Sequence, residues 1–204
     1  MVLDNRGGFM LMFCLKVIIT SIPIVFAGIS NMVFVKSKRL AWLSVPLDHG
    51  QMIKGKRIFG DNKTYKGIVG MMLFTGFYLL LFSLLCHLSP KVNSLILFDL
   101  ANHSYLASII YGLLWGLGYC LFELPNSFIK RRFDIGPGKA APGGLKYVFL
   151  VIDQIDSVFA GLILIIFFYP LTLTEGVLLV IIGGLIHYGV NIWLYRVHLK
   201  KQRG

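Results

Sequence analysis

Five stretches of this chain are long and apolar enough to cross a bilayer, at about 9–35, 67–88, 105–124, 148–170 and 173–195. A span needs ~20 residues. In lipid every backbone polar group must be satisfied within the protein, so each stretch is expected to be a helix. The chain has 204 residues, 56% of them hydrophobic and only 14% charged, which excludes an ordinary soluble domain. The fold class is therefore an all-α integral membrane protein with about five transmembrane helices. It is expected to form a single polytopic domain over 1–204, with no internal repeat. The first span contains Lys16 and Pro23, so a tilt, a kink or a snorkelling lysine is expected there. Its N-terminal flank lacks a strongly basic run, and the stretch is too long for a signal peptide, so it reads as a retained span.

Basic residues orient the chain. Seventeen of its 20 Lys and Arg residues fall at 36–66, 130–146 and 196–203. Only Arg6 and Lys91, with Lys16 inside the first span, lie elsewhere. The positive-inside rule puts the N-terminus outside, the C-terminus in the cytoplasm, and two loops of about 36–66 and 125–147 on the cytoplasmic face. The tail cations Arg196, Lys200, Lys201 and Arg203 read as part of that topology signal. A net charge of +11 suits anionic headgroups and phosphates, and no nucleic-acid partner is expected.

The candidate chemistry sits where polar residues meet the spans. Asp153 and Asp156, in the fourth span, are three residues apart and so share a helix face. Each ionised Asp costs about 2.5–3.5 kcal/mol near a span centre. Such acids pair with a cation from a neighbouring helix or line a polar cavity, and hard carboxylate oxygens suit a divalent metal. Both alternatives are open at this level. The third span ends in "ELPNSFIKRRFDIGPG" (123–138), where Asn126, Ser127 and Lys130 share a face and Arg131 and Arg132 adjoin them. Pro125 is placed to begin a new short helix, offsetting Glu123. This stretch reads equally as a topology anchor or as a phosphate site.

Before the second span lies "GKRIFGDNKTYKG" (55–67). Its glycine spacing resembles a P-loop, but Asp61 stands where that motif needs Lys. It still supplies a tight turn, backbone amides and a compact cation, as a polyphosphate or an anionic lipid surface would require. The histidines form no metal-ligand pair. His187, with Asn191 one turn on, suits an interhelical hydrogen bond. Cys14, Cys86 and Cys120 lie in or beside spans without ligand spacing. Cations for phosphates beside acids for a metal fit phosphoryl or nucleotidyl transfer.

Taken in order, "GKRIFGDNKTYKG", "NSFIKRRFDIGPG" and "IDQID" resemble the CDP-archaeol synthase family, relatives of the CTP:phosphatidate cytidylyltransferases. The resemblance implies five membrane helices and a cytoplasmic-side site in the cell membrane. It implies transfer of CMP from CTP to a membrane lipid phosphate, with Mg2+ as cofactor and pyrophosphate released. It further implies that Asp153 and Asp156 hold the metal, helped by Glu123, which stands where the pattern often has Asp. Ser127, Lys130, Arg131 and Arg132 would contact phosphates, with Asn126 beside them. Gly60, Asp61, Asn62, Lys63 and Thr64, with Arg57 from the same stretch, would lie at the nucleotide end. Asp153, Asp156 and Lys130 are the expected catalytic groups. The same chemistry on phosphatidic acid is the alternative substrate reading, and an ion-coupled transporter is the alternative class.

Overall fold

A computed structural model describes residues 3–200. The tail residues Lys201 and Arg203, and the side chain of Arg6, all counted above for orientation, lie outside what is described. Five helical segments are long and apolar enough to cross a membrane: Gly7–Lys36, Tyr65–Leu88, Tyr105–Arg132, Leu145–Ile166 and Leu173–Arg196. The chain is thus the multi-span helical protein its hydropathy implies.

The first span consists of two helices, α1 (Leu3–Thr20) and α2 (Ile22–Lys36). Pro23 lies at the start of α2, where its missing N–H costs least. Ser21 eases the break by donating its hydroxyl to the Val17 carbonyl (2.8 Å). This break matches the kink expected for the span. Helix α3 (Tyr65–Leu88) starts at Thr64, whose hydroxyl accepts the Gly67 N–H. A short α4 (Pro90–Ser94) leads to α5 (Tyr105–Arg132).

Helices α3 and α5 pack closely along a seam of small residues. A Cβ built on Gly112 would lie 2.6 Å from the Gly76 Cα, and one on Gly116 would lie 2.5 Å from the Met71 carbonyl oxygen. The Ser108 hydroxyl donates to that of Ser83 at 2.9 Å, so the buried polar groups along this seam are satisfied.

Helix α5 does not stop where the third apolar run stops. It passes through Pro125 and continues to Arg132, so the first part of the expected 125–147 loop is helical, with no restart at Pro125. Proline removes one N–H but is tolerated in a packed membrane helix, and the buried Asn126, Ser127 and Arg131 anchor the added turns. The fourth span is interrupted instead. Helix α6 (Leu145–Ile155) and α7 (Val158–Ile166) meet at Asp156–Ser157, where the Asp156 carboxylate accepts the Ser157 N–H (2.6 Å). Helix α8 (Leu173–Arg196) lies against this break, since a Cβ on Gly183 would be 2.7 Å from Val158 Cγ1.

At the basic end of the bundle, the segment joining α2 to α3 is an ordered structure. A two-residue hairpin pairs β1 (Met52–Ile53) with β2 (Lys56–Arg57), turning through Lys54 and Gly55, both at positive φ. Lys66 is only 1% exposed; its ammonium donates to the Ser37 carbonyl (2.6 Å) and the Val35 carbonyl (3.3 Å) at the C-terminus of α2.

Candidate active site

The hairpin segment is held by Asp48, a residue that no sequence motif singles out. One carboxylate oxygen accepts the N–H groups of Phe59 and Gly60, both at 2.9 Å. The other accepts Arg57 Nη2 (2.6 Å) and the Gly50 N–H (3.1 Å). Burial works to raise the Asp48 carboxyl. The Arg57 hydrogen bond and the three backbone donors outweigh it and hold the group well below the usual carboxylate range. Arg57 also bonds Asp61 (2.6 Å), so its guanidinium is committed to two carboxylates.

Arg132 is similarly committed. It donates to the backbone carbonyls of Ile53 (2.8 Å), Lys56 (3.0 Å) and Arg57, while Lys56 donates back to the Arg132 carbonyl (2.8 Å). The C-terminal turn of α5 and the hairpin thereby form one unit. Neither Arg57 nor Arg132 lines the cavity described next; both are bonded to the scaffold beside it.

That cavity has a volume of about 710 Å3. Its polar end is lined by Asp61, Asn62, Lys63 and Thr64 from the segment before α3. Glu123, Asn126, Ser127, Lys130 and Arg131 of α5 line it too, with Asp153 and Asp156 of the broken span. Of the residues expected at the site, only Arg57, Arg132 and Gly60 stay outside the lining. Gly60 has φ +101° and packs so closely under the loop at 136–144 that a Cβ would lie 2.7 Å from Pro137 Cγ and 3.5 Å from Arg131 Nη1. Only glycine permits both contacts. The other end of the cavity runs along an apolar wall of Val17, Ile24, Met32, Trp115, Ile165 and Leu179.

Within the polar end, the two span aspartates meet through Asn126. Its amide donates to Asp153 Oδ1 (2.6 Å) and to Asp156 Oδ2 (2.8 Å). The Lys130 ammonium lies against both oxygens of Asp153, with Nζ to Oδ1 at 2.5 Å. Asp156 has no ion-pair partner among the described residues. Lys63 is paired with Glu123. Burial works to lower the Lys63 ammonium, but the adjacent Glu123 overcomes this and raises it. Arg131 is 7% exposed, and its Nε and Nη1 have no hydrogen-bond partner.

The oxygen set suits a hard divalent cation. The buried Oδ1 of Asn126 is unpaired, and the two carboxylates are close enough to share one amide group. Mg2+ commonly takes one or two carboxylates and completes its shell with water and substrate phosphates. No cluster of three or more His, Cys, Asp or Glu side chains suited to a metal occurs among the described residues. Glu123, expected to help, is ion-paired with Lys63, as Asp153 is with Lys130.

Gln154 and the link from Asn191 to Lys200 escape a reading of motifs. Gln154 is buried and accepts the Asn191 amide (2.9 Å), and Asn191 in turn accepts the Lys200 ammonium (2.9 Å). His187 is hydrogen-bonded to the Tyr119 hydroxyl (3.0 Å) across helices α8 and α5, the interhelical role expected of it. Burial lowers the Lys200 ammonium, Glu123 and Asp153 oppose that, and Lys130 and Lys63 add to it.

The family model "CarS-like: CDP-archaeol synthase" matches residues 10–203. The chain belongs to the CDP-archaeol synthase family. Among curated members of that family, the CDP-archaeol synthase of Methanococcus maripaludis strain C6 is 34% identical over 159 residues, covering 76% of this chain and 81% of the relative. That of Thermofilum pendens is 28% identical over 181 residues, covering 88% and 76%. A solved structure of an intramembrane enzyme for archaeal membrane lipid biosynthesis superposes with a TM-score of 0.57. It is 24% identical and covers 86% of this chain and 92% of that one, a likeness of fold.

Proposed function

We propose that this CDP-archaeol synthase-family enzyme transfers CMP from CTP to an archaeol-type glycerol phosphate, giving a CDP-activated lipid and pyrophosphate. The observation that carries the reading is one cavity holding a buried, unpaired guanidinium, two neighbouring carboxylates and a long apolar wall. A nucleotide needs the first two features and an isoprenoid lipid needs the third. The positive-inside rule places the polar end on the cytoplasmic face of the cell membrane, where CTP is available.

In the reaction, an oxygen of the lipid phosphate attacks the α-phosphorus of CTP. A new P–O bond forms, the bond to the bridging oxygen breaks, and its electron pair leaves with pyrophosphate. The attacking phosphate is already ionised at neutral pH, so no strong general base is required. Arg131 offers its unpaired N–H groups to phosphate oxygens. Lys63 and Lys130, held in place by Glu123 and Asp153, present ammonium groups whose position is set before substrate arrives. Asp61, Asn62 and Thr64 face the nucleotide from the α3 side. Asp153, Asp156 and Asn126 Oδ1 would hold Mg2+, which when bound neutralises charge on phosphate oxygens.

The test is transfer of label from CTP marked at the α-phosphate into the lipid-soluble fraction, using purified protein, Mg2+ and a dialkylglycerol phosphate. Label appearing in a CDP-lipid supports the proposal. Label appearing only as free CMP, or not at all from folded protein, overturns it.

A further inference from the structure

Helix α8 ends in a turn that sends the tail back over the cavity. The His198 N–H bonds the Tyr195 carbonyl (3.1 Å) and the Leu199 N–H bonds the Leu194 carbonyl (2.9 Å), with His198 at φ +57°. This is a Schellman closure with histidine where glycine is usual. The turn is tied to α2, since Lys36 donates to the His198 carbonyl (3.4 Å). As a result Lys200, expected from the sequence only as one of several orienting charges in the tail, lines the cavity.

Its circumstances there differ from those of the other cavity lysines. Lys36, Lys139 and Lys146 are exposed, and Lys63 and Lys130 are each paired with a carboxylate. Lys200 is partly buried and bonded only to the neutral amide oxygen of Asn191, which Gln154 holds in place. It has no carboxylate within ion-pair distance among the described residues. A partly buried ammonium bonded to a neutral amide is a ready partner for an anion. Leu194 and Leu199 line the wall beside it, so the charge stands where the polar chamber meets apolar surface. Arg131 of α5 and the Asp61–Thr64 segment before α3 line the same cavity.

From this geometry we infer that Lys200 binds the phosphate monoester of the acceptor lipid, an assignment that rests on the cytidylyl-transfer reading above. A phosphate carried on an apolar tail is anchored at such a border, which leaves Arg131 and the Asp61–Thr64 segment for the CTP phosphates.

Steady-state kinetics of the full chain with CTP, Mg2+ and a dialkylglycerol phosphate test this, comparing wild type with Lys200→Gln, Lys200→Arg and His198→Pro. Proline is barred from positive φ, so the last variant unseats the tail without altering Lys200, and it serves if Lys200→Gln fails to fold. Lys200→Gln and His198→Pro are expected to raise KM for the lipid about tenfold with KM for CTP unchanged, and Lys200→Arg to keep most of the wild-type value. An unchanged lipid KM, or a rise in the CTP value instead, overturns the assignment. An inactive wild type would overturn the transfer reading itself. Retention of the lipid phosphate by immobilised protein without CTP then decides on Lys200: about tenfold weaker in Lys200→Gln if it holds the phosphate, equal to wild type if it does not.

Discussion

At the scale of single residues, the site combines groups that stability alone would not keep. A buried guanidinium with unpaired N–H groups is costly, so Arg131 detracts from the stability of the free protein. Arg131→Met is therefore expected to melt at or above the wild-type temperature in detergent. Turnover should fall by about 100-fold, through loss of roughly 3 kcal/mol of phosphate stabilisation. A joint loss of melting temperature and activity would instead make Arg131 a structural residue. Asp156 offers a complementary case. It lacks an ion pair among the described residues, so Asp156→Asn disturbs little in the free protein and should still cut kcat by about 100-fold or more. Asp153→Asn leaves Lys130 without its counter-charge and is expected to lower the melting temperature as well. Comparing the two melts separates the charge partner from the chemistry.

At the scale of elements, the Asp48 cradle and the α3–α5 seam set the geometry. The native Asp48 carboxyl is held below its unfolded value of about 3.9, so its stabilisation is complete above that pH and is lost as pH falls towards the depressed native value. Closure of the hairpin is thus expected to be insensitive to pH between 5 and 8. Asp48→Ala should lose about 1–3 kcal/mol across that whole range, with amide exchange rising at Phe59 and Gly60. A loss confined to acidic pH would contradict the assignment. In the seam, Gly112→Ala drives a Cβ into α3 backbone and is expected to destabilise by about 1–3 kcal/mol. Gly189→Ala, on the same kind of helix but with open space around it, should be neutral or gain up to about 1 kcal/mol. Thermal melts of the two proteins in one detergent give the comparison.

At the scale of the whole molecule, what a sequence displays is what lipid demands of it. Continuous apolar runs exposed the five spans because bilayer thickness is a one-dimensional constraint. Asp153 and Asp156 were visible because a charge inside a span is conspicuous. Residues whose roles depend on long-range closure were not legible. Asp48 is an ordinary loop acid until the chain returns to it at Phe59 and Gly60. Arg132 and Arg57 look like phosphate ligands, but their bonds to backbone carbonyls and acids appear only in the folded chain. Lys66 reads as one more loop cation, but it is buried as a cap on α2. The extension of α5 past Pro125 was hidden because local proline chemistry was outweighed by tertiary packing that no window of sequence contains.

The proposed cytidylyl transfer to an ether lipid phosphate at the Asp153–Asp156 site is checked by pyrophosphate release from purified protein with CTP and Mg2+. The protein is supplied in turn with a dialkylglycerol phosphate, with phosphatidic acid and with no lipid, and Asp156→Asn serves as the blank. The expected result is release that depends on the dialkyl lipid, is weaker with phosphatidic acid and is abolished in the variant. Release that is independent of lipid, or that persists in folded Asp156→Asn, would contradict it.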